Sequence, residues 1–255
     1  MRNFWAIFKR ELAVYFTSPM AYAILVIFLI IAGYMFSSTV SYYAFVSLEA
    51  ARNPYLAGLN VADAVLNPLF ANLSVVMLLM LPALTMRLLA EEKKSGTFEL
   101  LFTYPLRDIE VVLGKYAAVL AVFAVMLGLT ATYQILLAFL GKSAGGVALA
   151  GYLGLFLAGA AFLSLGLFVS SLSENQIVAA VVTFGCLLLL YLAGWSSAMI
   201  QSDLGKVLTH LSLIEHFKNF SKGVVDTTDL VYYACFIFFF LFLSLRTLES
   251  KRWRG

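Results

Sequence analysis

Six stretches of this chain are apolar, uncharged through their middles and long enough to cross a lipid bilayer, which restricts the fold to a helical membrane architecture. A spanning helix needs about 20 apolar residues, rising ~1.5 Å each, to cover roughly 30 Å of hydrocarbon. The candidate spans are residues 20–40, 66–86, 112–140, 147–171, 176–198 and 227–246. The last has the shortest uncharged core, 230–245, so Thr227, Thr228 and the snorkelling stem of Arg246 must complete the crossing. All six runs lack the alternation that a lipid-facing strand of a β-barrel requires. Hydrophobic residues make up 62% and charged residues 12% of the 255 positions. A soluble domain carries about 45–50% apolar and about 25% charged residues, so a soluble enzyme is excluded. The expected fold is an all-α polytopic membrane protein, one transmembrane domain over residues 1–255.

Cations fix the expected orientation, because Lys and Arg near span ends are retained on the cytoplasmic side. Six spans place both termini together with the loop between spans two and three. That side holds Arg2, Lys9, Arg10, Arg87, Lys93, Lys94, Arg107, Lys115, Arg246, Lys251, Arg252 and Arg254, twelve of the 17 cations. The other side keeps Arg52, Lys142, Lys206, Lys218 and Lys222. Both termini are therefore expected in the cytoplasm. A net charge of +3 gives no reason to expect a nucleic-acid partner.

Before the first span, Phe4, Trp5, Phe8, Leu12, Tyr15 and Phe16 recur at helical spacing, away from Lys9, Arg10 and Glu11. The pattern predicts an amphipathic helix over 1–18, lying in the cytoplasmic interface with its charges outward. Ser18-Pro19 then ends it and opens span one, since proline suits a first helical turn. A cytoplasmic extension of span one is the competing assignment. The run begins too far from the first cations to be a cleavable signal peptide.

The loop over 87–107 is the most informative segment. Six charges, Arg87, Glu91, Glu92, Lys93, Lys94 and Glu99, fall within residues 87–99 of a chain that otherwise avoids charge. Ser95, Gly96 and Thr97 supply a break and a new helix start, with Glu99 near its positive end. Phe98, Leu101 and Phe102 then share one face, and Pro105 stops the helix. So short an amphipathic helix is marginal alone in water and needs a surface to dock into. Asp108 and Glu110 open span three, and Lys115 marks the membrane boundary.

The run Glu91-Glu92-Lys-Lys-Ser-Gly96-Thr97-Phe-Glu99-Leu-Leu-Phe-Thr-Tyr-Pro105, followed by Gly114-Lys115, resembles the signature loop of ABC-2 type transporter permease subunits. The opening from Phe8-Lys-Arg-Glu11 through Tyr15-Phe16-Thr-Ser18-Pro19 to Tyr22 resembles the branch containing gliding-motility-associated permeases. Ser170-Ser-Leu-Ser173-Glu174-Asn175-Gln176 is similar to the family's tight turn between spans four and five. The resemblance implies the transmembrane half of an ATP-driven exporter in a prokaryotic inner membrane. It implies a separate ABC ATP-binding subunit that holds ATP and magnesium, and a second permease, identical or sister. It also admits an accessory extracytoplasmic protein. The helix after Gly96-Thr97 would be the coupling helix, with Glu91, Glu92, Gly96, Thr97, Glu99 and Pro105 at motif positions. From spacing alone, Phe98, Leu101 and Phe102 are its docking face. Ser173, Glu174 and Asn175 form a second cytoplasmic turn. The alternative is a membrane scaffold for an ATPase-driven assembly or motility process that transports nothing.

ATP chemistry is not expected in this chain. A phosphate-cradling loop needs Gly, four residues, then Gly-Lys-Ser/Thr, and Gly141-Lys142-Ser143 has Leu136 where the first glycine belongs. His210 and His216, with Glu215 and Asp203, sketch a metal site, but their spacing favours ordinary surface or interfacial histidines and no cofactor. The span middles carry no ionisable residue, which argues against ion-coupled transport. Gln134, Asn72, Thr130, Thr132, Thr183 and Ser164 read as helix-to-helix hydrogen bonders. Ala150, Gly154 and Ala158 form a small-residue stripe for close packing, within the chain or with a second copy. Ser173 and Gln176 have capping-box spacing. Residues 195–229 read as short helices at or dipping into the outer interface.

Overall fold

The computed structural model describes residues 2–50, 60–96, 107–139, 145–197 and 210–252. Helix α1 is Arg2–Thr17 and α2 is Pro19–Ala50. A π-helical turn, Ala62–Leu66, leads into α3, Asn67–Thr85, and a turn at 86–89 separates this from the short α4, Ala90–Lys94. Then come α5 (Asp108–Thr130), α6 (Thr132–Phe139), α7 (Gly145–Leu172), α8 (Gln176–Ser197), α9 (Leu213–Ser221) and α10 (Thr227–Arg252). Six continuous helical stretches are long and apolar enough to span: Pro19–Ala50, Ala62–Lys94, Asp108–Phe139, Gly145–Leu172, Gln176–Gly194 and Thr227–Ser250.

Five of these reach beyond the expected bounds, all but Gln176–Gly194. Helix α2 runs ten residues past 40, α5 starts at Asp108 where 112 was the expected bound, and α10 continues past 246 to Arg252. Span three is interrupted at Ala131, between α5 and α6, where the Thr130 and Thr132 hydroxyls donate to the Leu127 and Leu129 carbonyls at 2.7 and 2.8 Å. Tyr133 then joins α6 to α2, its hydroxyl 3.2 Å from the Leu29 carbonyl and its ring stacked on Phe36 at 4.8 Å.

Helix α7 is the hub. Its best spanning window is 78% buried, against 17% for α2 and α10, so α7 packs on protein where the others offer surface to lipid. Small residues make this possible. A Cβ on Gly151 would lie 2.1 Å from the Phe70 ring, and one on Gly166 would lie 2.2 Å from Thr85 Oγ1, so side chains of α3 fill the space a Cβ would take on α7. The stripe of Ala150, Gly154 and Ala158 is occupied within the chain, since a Cβ on Gly154 would lie 2.4 Å from Phe220 Cβ of α9 and both alanines are buried. The expected helix-to-helix role of the span hydroxyls holds for Thr130, 3.2 Å from the Tyr152 hydroxyl. Ser164 and Thr183 instead bond their own helices, at the Ala161 and Ala179 carbonyls, which leaves the contact surfaces to shape rather than hydrogen bonding.

Gly166→Ala tests the close approach, because helix propensity and packing pull in opposite directions there. Alanine should gain about 0.5–1 kcal/mol of propensity but lose roughly 1–3 kcal/mol to overpacking against Thr85. A lower melting midpoint in detergent is expected for Gly166→Ala, and none for Gly146→Ala, whose Cβ meets nothing within 4 Å.

Candidate functional site

One end of the bundle gathers α1, the first turns of α2, the end of α3, α4, the start of α5 and the end of α7. Helix α1 lies against α5 because residue 114 is glycine: a Cβ there would sit 2.8 Å from Ile7 Cγ2. The next residue, Lys115, is 2% exposed and reaches between two carboxylates. Its Nζ donates to Glu11 Oε1 of α1 at 3.0 Å and to Glu92 Oε1 of α4 at 2.9 Å. Arg10, largely exposed, approaches Glu92 Oε1 at 3.5 Å and balances the second carboxylate. Two cations and two anions thus neutralise one another where α1, α4 and α5 meet.

Neighbouring hydrogen bonds extend this joint. The Tyr15 hydroxyl donates to the Leu84 carbonyl at 2.7 Å, and burial, reinforced by the charge of Glu11, pushes its pKa far above the ordinary phenol value. The phenol therefore stays a donor and ties α1 to α3. Asn3 Nδ2 lies 3.3 Å from Glu110 Oε2 in the first turn of α5. Ser170, near the end of α7, satisfies the turn before α4: its hydroxyl accepts from the Leu89 and Ala90 amides, each at 3.1 Å, and donates to the Met86 carbonyl at 3.2 Å. Lys93 Nζ donates to the Ser171 carbonyl, so α4 is fastened to the hub helix as well.

Of the sequence-predicted site residues, Glu92 is drawn into this joint, Glu91 faces outward beside it, and Gly96 ends the α4 turn in the left-handed region at φ 69°. That conformation suits glycine and makes Gly96 the break expected there. Thr97, Phe98, Glu99, Leu101, Phe102 and Pro105 lie outside the described residues. Ser173, Glu174 and Asn175 form the turn between α7 and α8. The cap of α8 is Asn175, whose Oδ1 accepts from the Ile177 amide at 2.9 Å, while the Ser173 hydroxyl contacts Asn175 itself. The Ser173–Gln176 box is thereby corrected, because an asparagine two residues later satisfies the same helix start.

Two further expectations are overturned. Glu11 turns inward with 7% exposure, because the α1 face that packs on α5 includes it along with Ile7. Trp5 and Phe16, at 56% and 46%, keep the exposed apolar side. Lys115, expected at the membrane boundary, is a buried ion partner. The signal for it was present: a single lysine between Gly114 and Tyr116 in an apolar run needs a carboxylate, but not which one.

At the opposite end, His216 is also buried, contrary to a surface role. Its Nδ1 lies 2.6 Å from Asp229 Oδ1, its Nε2 3.2 Å from the His210 carbonyl, and its ring stacks on Tyr232 at 3.9 Å. Asn219 Nδ2 donates to Asp229 Oδ2 at 2.9 Å. Glu215 pairs instead with Lys218, and Asp203 lies outside the described residues. Among the described residues no group of three His, Cys, Asp or Glu side chains could hold a metal ion.

The helices and the ion-paired joint define a polytopic helical protein with six candidate membrane spans among its described residues and buried charge gathered at the α4 end of the bundle. A family profile described as ABC-2 family transporter protein matches residues 5–222, and the chain belongs to that family. Membership of this family typically goes with ATP hydrolysis in a separate subunit. No curated protein shows a significant match.

Lys115→Met should cost about 3–5 kcal/mol, because it removes the ammonium that both buried carboxylates face. Combining it with Glu11→Leu and Glu92→Leu should recover most of the loss, since apolar replacement of a whole buried ion cluster is nearly neutral. Unfolding midpoints in detergent micelles check this. Equal midpoints for wild type and Lys115→Met would contradict the joint.

Proposed function

We propose that this chain is the membrane-spanning half of an ATP-driven exporter, moved by a separate ATP-binding subunit that docks on segment 97–105. The observation that carries this reading is the Lys115 joint. Segment 97–105 starts three residues beyond α4, and α4 is bound through Glu92 and Lys115 to α5 and α1, and through Ser170 and Lys93 to α7. A push on that segment is thus delivered to three helices together, as rigid-body transmission requires. In this reading the α4 end and both termini face the cytosol of a prokaryotic cell, supported by the cation asymmetry. Phe98, Leu101 and Phe102 dock in the ATPase, and Ser173, Glu174 and Asn175 form a second turn on the same cytoplasmic side. ATP and magnesium belong to that partner. A second permease completes the transporter. The opening from Phe8 to Tyr22 supports placement in the gliding-motility-associated branch.

Three measurements test the proposal. With Cys186 and Cys235 replaced by serine, Lys94→Cys should react with an impermeant maleimide only in inside-out vesicles, as Lys94 is exposed. Gly96→Pro with Phe98→Asp should abolish co-purification with the ATP-binding subunit while leaving the chain folded. Reconstituted vesicles should show ATP-dependent flux, and binding or ATP turnover without flux would favour the scaffold.

A further inference from the structure

A cavity of about 250 Å³ opens between α1, the start of α2, the end of α3 and α4, beside the Lys115 joint. At roughly 30 Å³ per water, it has room for about eight waters, or for a compact polar headgroup. Its walls divide by chemistry. Met20, Ala21 and Ile24 of α2, with Ala83 and Leu84 of α3, make one side aliphatic. The other side carries Arg87, whose Nη1 donates to Ser18 Oγ at 3.3 Å while its buried Nε has no partner among the described residues. A buried guanidinium nitrogen without an acceptor is costly and calls for one.

The remaining charges select the ligand. Lys115 is held by Glu11 and Glu92, and Arg10 leans on Glu92, so the cation left for an incoming anion is Arg87. Glu91, exposed at the same cavity, places a carboxylate where a ligand's positive group would sit. A bare phosphate would leave Glu91 without a positive group and gain nothing from the aliphatic wall. Val14 lines the cavity and is 51% exposed, so an apolar side chain continues from the cavity wall to the outer surface, which suits an acyl chain.

We propose that this cavity binds the headgroup of one zwitterionic glycerophospholipid of the phosphoethanolamine type, phosphate on Arg87 and ammonium on Glu91, with its acyl chains leaving past Val14 into the bilayer. Guanidinium matches phosphate oxygens in a planar fork of N–H donors, and Arg87 lines the cavity. The inference rests on the chain spanning a membrane and does not depend on the ATPase assignment. A lipid seated there bridges α1, α2 and α3 at the root of α4.

Native mass spectrometry of the full chain, released from detergent after titration with dioleoyl phosphatidylethanolamine, tests it. Wild type should retain one lipid per chain. Arg87→Gln and the cavity-filling Ala21→Trp should each lower retention about tenfold, whereas Ala13→Trp, on the exposed side of α1, should not. Dioleoyl phosphatidylglycerol should bind more weakly, and chain-free glycerophosphoethanolamine should not compete. The proposal is overturned if Ala21→Trp retains lipid as wild type does or if phosphatidylglycerol binds more tightly. Equal competition by the chain-free analogue would also overturn it, by making the ligand a soluble phosphate ester. The three ligand arms need only wild-type protein, so a misfolded variant cannot shield the idea.

Discussion

Lys115 between Glu11 and Glu92 is the contact on which the α4 end of the molecule depends. An ammonium and two carboxylates are taken out of water there, and desolvation of each charge is offset only if partners are held at hydrogen-bond distance. The distances of 3.0 and 2.9 Å meet that condition. Because the three residues come from α1, α4 and α5, satisfying the lysine fixes the mutual position of those helices. Hydrophobic contact alone would not, since lipid tails compete on equal terms with apolar side chains in a bilayer.

Helix α7 solves the complementary problem of close packing. With little hydrophobic drive between helices in lipid, contact area must come from shape, and glycines along α7 admit the Phe70 ring, the Phe220 side chain and Thr85 at distances no Cβ would allow. The hub is held by polar chemistry at one end, where Ser170 and Ser171 meet α4 and the turn before it, and by apolar packing at the other, where Gly154 faces Phe220 of α9, itself tied to α10 by the His216–Asp229 pair. From Gly154 to Ser170 along α7 is roughly 24 Å at ~1.5 Å per residue. Most of a bilayer's hydrocarbon thickness therefore separates the two polar clusters.

The division of labour between α1's two faces has the same origin. Residues packing on α5 can include a charge because Lys115 answers it, whereas Trp5 and Phe16 on the other side have no protein to cover them. An amphipathic stripe records that a helix has two faces. It does not record that the buried face contains an ion, because spacing counts Glu11 as polar wherever its partner lies.

The sequence by itself determined the helical class, the six spanning stretches, the Pro19 start and the Gly96 break, because hydrocarbon thickness and backbone conformation act locally and leave a mark at each residue. It also marked the charged run around Glu91 and Glu92. Only the tertiary structure decided that Glu11 faces inward, that Lys115 joins three helices, that Asn175 rather than Ser173 caps α8, and that His216 is buried on Asp229. Each of these depends on a partner far along the chain or on which of two adequate local choices packing selects, as with Glu11 and Lys115, separated by 104 residues. Periodicity and composition describe what a residue avoids, and pairing in three dimensions decides what it meets.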